Sequence, residues 1–180
     1  MAKMIETIQL LDKDLNLNPD LQAFLNKYSW RNCTDSGIIA IIGVQGSGKS
    51  TLINGTFETK LPTMKSSLLG RTTLGANISI IEESENTFVV IDSEGIGWEE
   101  RLRDCEGDKD KQHVFDTQLT AFILSAVDVL LINIKVDQIW QTEAGWSALV
   151  RDIIKINKKF IPAANIRKKT ILYVIRDFDP

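Results

Sequence analysis

Residues 37–57 read GIIAIIGVQGSGKSTLINGTF, and this stretch decides the fold. Gly37 to Ile42 is an unbroken apolar run, the pattern of a strand buried on both faces. Gly43-Val44-Gln45-Gly46-Ser47-Gly48-Lys49-Ser50 follows and fits G-x-x-x-x-G-K-[ST]. A backbone that wraps around phosphate groups needs positions without a Cβ, so that its N–H groups can converge on the oxygens. The helix expected from Lys49 to Phe57 adds its positive end. Lys49 supplies a mobile point charge for the outer phosphates, and Ser50 a hydroxyl for Mg²⁺. Thr51 completes the set expected to contact nucleotide. The segment leaves a buried strand and opens a helix, which is the context a phosphate cradle requires.

Three motifs lie downstream. Asp92-Ser93-Glu94-Gly95 ends a predicted strand. Asp92 can hold Mg²⁺ there, and Gly95 lets the backbone approach a γ-phosphate. Arg71-Thr72-Thr73-Leu74-Gly75 fills the polar connector before the preceding strand. Thr73 is the residue expected to place its hydroxyl on Mg²⁺ and its backbone on the γ-phosphate, which orders the segment with triphosphate bound. Arg176-Asp177 ends the last predicted strand. A carboxylate at Asp177 can accept from the two adjacent donors of guanine, a pair that adenine lacks. The mixed-charge run at 98–111, WEERLRDCEGDKDK, reads as a solvated loop that also stands where a second switch belongs.

The periodicity alternates strands with helices. Strands are expected at Ile5 to Leu11, Gly37 to Ile42, Ala76 to Glu82, Thr87 to Ile91, Val127 to Ile134 and Thr170 to Ile175, with a hairpin turn at Glu83 to Asn86. Helices are expected at Pro19 to Tyr28 (capped by Asn18), Lys49 to Phe57, Gln112 to Ala126 and Thr142 to Phe160. Gly95 to Lys111 reads as charged and irregular. The fold class is α/β, a P-loop NTPase three-layer sandwich with a mainly parallel central sheet. Ligands bind such sheets at the carboxyl ends of the strands, where every motif above falls.

Composition narrows the function. The chain has 180 residues, of which 43% are apolar and 25% charged. A net charge of −3 argues against a dedicated nucleic-acid binder. Two cysteines, Cys33 and Cys105, and the single His113 build neither a disulfide framework nor a metal cluster, and read as a reduced, cytoplasmic protein. The first twenty residues carry Glu6, Asp12 and Asp14 and no signal-peptide centre, and no 18-residue apolar stretch exists, so no membrane contact is expected from this chain.

Taken in order, GVQGSGKSTLIN, RTTLGANI, DSEG and VIRDFD resemble the dynamin-like GTPases that fuse endoplasmic reticulum tubules, the atlastin group, and within it the Sey-type, root-hair-defective branch. Ile8-Gln9-Leu10-Leu11-Asp12 and the stretch at 133–157 are similar to that branch as well. The resemblance implies GTP and Mg²⁺ as ligands and GTP hydrolysis as the activity. It implies Lys49, Ser50 and Thr73 as catalytic residues, Ser50, Thr73 and Asp92 around the metal, and Arg176 with Asp177 as the guanine motif. It also implies a nucleotide-dependent homodimer through the GTPase face, and a place on the cytosolic face of the endoplasmic reticulum if a longer form carries membrane helices.

The departures are specific. Leu74 replaces a lysine usual in the family. Gly46 stands where atlastins carry a catalytic arginine, which leaves Arg71, Arg101 and Arg103 as candidates to neutralise developing charge. Ile96 leaves no Ras-like glutamine to position water. The elements that follow the R-D motif in full members are missing, so residues 1–180 read as a truncated GTPase domain, with 1–36 as its N-terminal extension. Two other readings stay open. One is a non-catalytic nucleotide-binding or dimerisation fragment that pairs with a full-length GTPase. The other is an ATPase of the same loop class.

Overall fold

The computed structural model describes residues 2–28, 37–59, 61, 63, 73–83, 86–97, 99–136, 150–151, 153–155 and 169–177. In chain order the elements are β1 (Ala2–Leu11), α1 (Leu21–Asn26), β2 (Gly37–Ile42), α2 (Lys49–Phe57), β3 (Ala76–Glu83), β4 (Asn86–Ser93), α3 (Glu99–Asp104), α4 (Lys109–Ala126), β5 (Val129–Lys135) and β6 (Thr170–Arg176). The strand order is β1-β3-β4-β2 within one compact unit, and β5 lies beside β6 within the other. The chain divides into two compact units, Met1–Ile41 with Gly48–Glu94, and Ile42–Ser47 with Gly95–Pro180.

In the first unit β2 pairs parallel with β4, from Gly37 opposite Phe88 to Ile41 opposite Asp92. The hairpin expected from alternation is present, with β3 and β4 antiparallel and Ile78 opposite Ile91. β1 adds to β3 antiparallel with two register shifts, between Met4 and Glu6 and between Gln9 and Leu11. It begins at Ala2 rather than Ile5, because β3 runs to Glu83 and offers a pairing partner that far. Burial on both faces explains the β-branched composition: Ile78, Ile80, Ile81, Val89, Val90 and Ile91 are all core residues. The helix predicted from Pro19 is shorter, Leu21–Asn26 with Asp20 as N-cap. Asn18 has another task. Its side-chain Oδ1 accepts from the Asp20 N–H, and its side-chain Nδ2 donates to the Gln9 carbonyl, which fastens the turn to β1. α2 packs its buried Ile53 toward the sheet.

In the second unit β5 and β6 run parallel in register from Val129 opposite Thr170 to Lys135 opposite Arg176. The segment read as irregular contains a helix, α3, and α4 begins at Lys109 instead of Gln112. The reason is Asp108, whose carboxylate accepts from the N–H groups of Asp110 and Lys111 and so caps the helix earlier than its apolar face begins. That face buries Leu119, Thr120, Ile123 and Leu124, while Phe115 and Phe122 are half-buried. β5 starts at Val129 rather than Val127, since Val127 caps α4 through its N–H on Ile123. Most of the helix expected at 142–160 lies outside the described residues. No helix among the described residues is long and apolar enough to cross a membrane.

Candidate functional site

The site residues of the first unit gather at the ends of β4 and the start of α2. Gly48 opens the helix in the left-handed region at φ 82°, and its carbonyl receives the Leu52 N–H at 2.9 Å. Lys49 is buried. Burial pushes its ammonium down from 10.5 to about 8, while the carboxylates of Asp92 and Glu94 pull it back up. The Ser50 hydroxyl donates to Asp92 Oδ2 at 2.7 Å, and the Thr73 hydroxyl donates to the same oxygen at 3.1 Å. Asp92 Oδ1 is buried and has no hydrogen-bond partner among the described residues. Burial raises the Asp92 carboxyl above its ordinary range, against the lowering effects of Ser50, Lys49 and Thr73. Thr51 is exposed.

A buried carboxylate with one oxygen unused and two hydroxyls at the other is costly unless something else is meant to bind there. The donor set is one carboxylate and two hydroxyls, all oxygen. Among the described residues no group of three or more His, Cys, Asp or Glu side chains could hold a metal. Few protein ligands, all hard oxygens, suit Mg²⁺, which keeps waters and takes phosphate oxygens for the rest.

The segment carrying Thr73 is fastened next door. The Gly75 N–H donates to Glu94 Oε2 at 2.8 Å, and the Glu94 N–H donates to the Gly75 carbonyl at 2.7 Å. Gly75 has φ 68°, and a Cβ there would overlap the carbonyl oxygens of Leu11 and Asp12.

The second unit holds residues 43–47 and what supports them. Val44 bridges Ile96 in parallel fashion, and the Ile96 N–H donates to the Gly43 carbonyl at 3.2 Å. The Ser47 N–H closes the turn on the Val44 carbonyl at 3.2 Å. Gly95 lies against the backbone of Gln45, which a Cβ would overlap. The glycine of D-x-x-G is therefore required by packing on the loop. Gly46 is exposed at φ 70° with open space where a Cβ would stand. Asn133, on β5, lies beneath the loop and is 1% exposed. Its amide donates to the Ser47 carbonyl at 2.7 Å and reaches the Ser47 hydroxyl at 3.1 Å.

Residues 42–179 match the family described as the Root hair defective 3 GTP-binding protein (RHD3) GTPase domain. The chain belongs to this family. It is 31% identical over 191 residues to Protein SEY1 of Kluyveromyces lactis, covering 99% of this chain and 23% of that protein. It is 32% identical over 150 residues to the Protein SEY1 homolog of Dictyostelium discoideum, covering 81% of this chain and 16% of that protein. The chain thus spans less than a quarter of the length of these relatives. Among solved structures it is similar to a dimerization-deficient mutant of Toc33 from Arabidopsis thaliana. The TM-score is 0.40 at 15% identity, over 87% of this chain and 77% of that one, a likeness too distant to add to the assignment.

Arg176 is half-buried and Asp177 exposed just beyond β6, with Asp177 in the left-handed region at φ 58°. Arg71 lies outside the described residues. Arg101 is buried, with its guanidinium 3.7 Å from the Phe115 ring centroid and 3.8 Å from Asp104. Those contacts give it a structural role between α3 and α4. Arg103 is exposed. Two residues of this RHD3 domain were not singled out by the sequence, Glu94 and Asn133. The signal for Asn133 was a lone polar residue in the apolar run VLLINIK, and for Glu94 a carboxylate beside the motif aspartate.

Proposed function

We propose that the chain binds GTP with Mg²⁺ through residues 43–50 and hydrolyses it to GDP and phosphate. The carrying observation is the convergence of Ser50 and Thr73 on the buried Asp92 carboxylate, whose other oxygen has no hydrogen-bond partner among the described residues. Lys49 neutralises the outer phosphates. Ser50, Thr73 and Asp92 are the residues that would hold the metal, the first two through their hydroxyl oxygens and Asp92 through its carboxylate. Bound there, Mg²⁺ would supply neutralisation of the negative charge on the outer phosphates. The backbone N–H groups of the loop add fixed donors around the phosphates. Thr73 and backbone groups orient the attacking water, since residue 96 is isoleucine. Asp177 reads the guanine edge, with Arg176 beside it.

Residues 1–180 are, in this reading, part of a dynamin-like GTPase domain, with 1–36 as its N-terminal extension. The family resemblance supports a role in endoplasmic reticulum tubule fusion at the cytosolic face of that membrane, with nucleotide-dependent pairing of two copies through the GTPase face.

A second reading is favoured by Gly46 and Ile96: a nucleotide-binding module that pairs with a full-length GTPase and does not turn over. Single-turnover measurement with labelled GTP separates the two. Release of phosphate from bound GTP supports hydrolysis; bound GTP that stays intact at high protein concentration supports the module. Lys49→Ala should abolish binding, and binding by that variant as tight as wild type overturns both. Asn tolerates the left-handed backbone as well as Asp does, so Asp177→Asn tests base reading without disturbing the turn. It should reduce the preference for GTP over ATP.

A further inference from the structure

We infer that Asn133 is the positioning residue that sets the shape of the phosphate loop, acting from β5 on both ends of the turn. The observation is geometric and lies wholly within the second unit. The Asn133 side-chain amide donates to the Ser47 carbonyl at 2.7 Å and lies 3.1 Å from the Ser47 hydroxyl. The Asn133 backbone carbonyl packs against Gly43 so closely that no Cβ fits there, and the Ser47 hydroxyl would stand 3.1 Å from that Cβ. One residue thus bears on the first and fifth positions of the motif. Holding the Ser47 carbonyl down onto β5 turns that peptide so that its other side, the Gly48 N–H, faces away from the strand, on the side where an anion would sit.

The cost supports a role beyond packing. Asn133 is buried in an apolar strand, and its Oδ1 has no hydrogen-bond partner among the described residues. An isosteric leucine would avoid that penalty. The orientation of the amide is fixed by chemistry, because only the NH₂ group can face a carbonyl. The loop therefore takes its conformation from a donor that the rest of the strand tolerates at a loss.

This rests on the reading that residues 43–50 bind a nucleoside polyphosphate, and the experiment keeps the two apart. GTP affinity in Mg²⁺ is measured for wild type, Asn133→Asp and Asn133→Ala from about pH 5.5 to about pH 9, alongside thermal melts. An ionised carboxylate opposite the Ser47 carbonyl repels it, whereas a protonated one can donate. Full burial raises a carboxyl by as much as about 3–5 pH units, so the substituted group titrates inside this window. Asn133→Asp should bind at least about tenfold more weakly than wild type at the upper end and recover to within about threefold at the lower, from one lost charge-opposed hydrogen bond. Asn133→Ala should stay weak at every pH. A purely structural residue would move the melts of both variants without pH-dependent recovery of affinity in Asn133→Asp. Wild-type affinity for both substitutions, or equal loss at all pH values for both, overturns the inference. Absence of binding by wild type itself overturns the nucleotide reading instead.

Discussion

Glu94 and Gly75 hold each other by two hydrogen bonds running in opposite directions, at 2.8 and 2.7 Å. Gly75 ends the segment that carries Thr73, and Glu94 follows Asp92 by two residues. The pair therefore fixes the threonine segment to the strand that bears its carboxylate partner. Both Glu94 and Thr73 are buried, so solvent does not compete for these bonds.

Glu94→Ala should cost about 1.5–3 kcal/mol, since it removes a buried acceptor whose bond to the Gly75 N–H is charge-assisted. Its functional effect should be selective. The affinity for a non-hydrolysable GTP analogue should fall toward that for GDP, because only the triphosphate gains from an ordered Thr73. Denaturant melts and paired titrations check this. Equal loss for both nucleotides would show that Glu94 acts on the whole fold.

Gly75 and Gly46 share a backbone conformation, φ 68° and 70°, but differ in surroundings. Gly46→Ala pays for the left-handed backbone alone, roughly 1 kcal/mol. Gly75→Ala also drives a methyl into the Leu11 and Asp12 carbonyls, which are backbone atoms of β1 and its turn and cannot rotate aside. Its cost should exceed that of Gly46→Ala by about 2 kcal/mol or more, the scale of overpacking in a rigid core. Urea unfolding of the two variants makes the comparison directly, and similar midpoints would refute it.

The loop, the hairpin and the alternation of strands and helices were legible because each is written locally. Gly43 to Ser50 is a contiguous motif, and β2 to β5 are β-branched runs of strand length. What escaped was set by partners distant in sequence. Asn133 reaches Ser47 across 86 residues. The start of β1 at Ala2 depends on how far β3 extends. The start of α4 depended on Asp108 acting as cap, a signal hidden among other charges in EGDKDK. Gly95 has a second reason to be glycine that its motif does not spell out, because a Cβ there would overlap the backbone of Gln45.

Asp92→Asn should separate stability from binding. One oxygen of the buried Asp92 carboxylate has no hydrogen-bond partner among the described residues, and burial raises its pKa. A raised acid binds more protons folded than unfolded, so its ionised form opposes folding as pH rises. A neutral amide of the same shape removes that opposition, and the nucleotide-free variant should melt at or above the wild-type temperature near neutral pH. The same change removes the hard anionic ligand, so Mg²⁺ should no longer strengthen GTP binding. A variant that is less stable yet still Mg²⁺-dependent would remove Asp92 from the metal site.

Lys49 gives the pH signature of the unliganded site. Its ammonium lies at about 8, below the ordinary 10.5, because burial outweighs the attraction of Asp92 and Glu94. Between those values the folded protein holds fewer protons at this group than the unfolded chain. Burying the charge therefore opposes folding fully below pH 8, and the opposition fades as pH rises from about 8 to 10.5. A bound polyphosphate works the other way by stabilising the charged form and raising the pKa. Above about pH 8 binding must then take up a proton, and GTP affinity should fall by up to about tenfold per pH unit. Calorimetry in buffers of different ionisation enthalpy should show uptake approaching one proton at about pH 9 and almost none at about pH 7. Affinity that stays flat across this interval, with no proton uptake, would mean that Lys49 does not meet the phosphates.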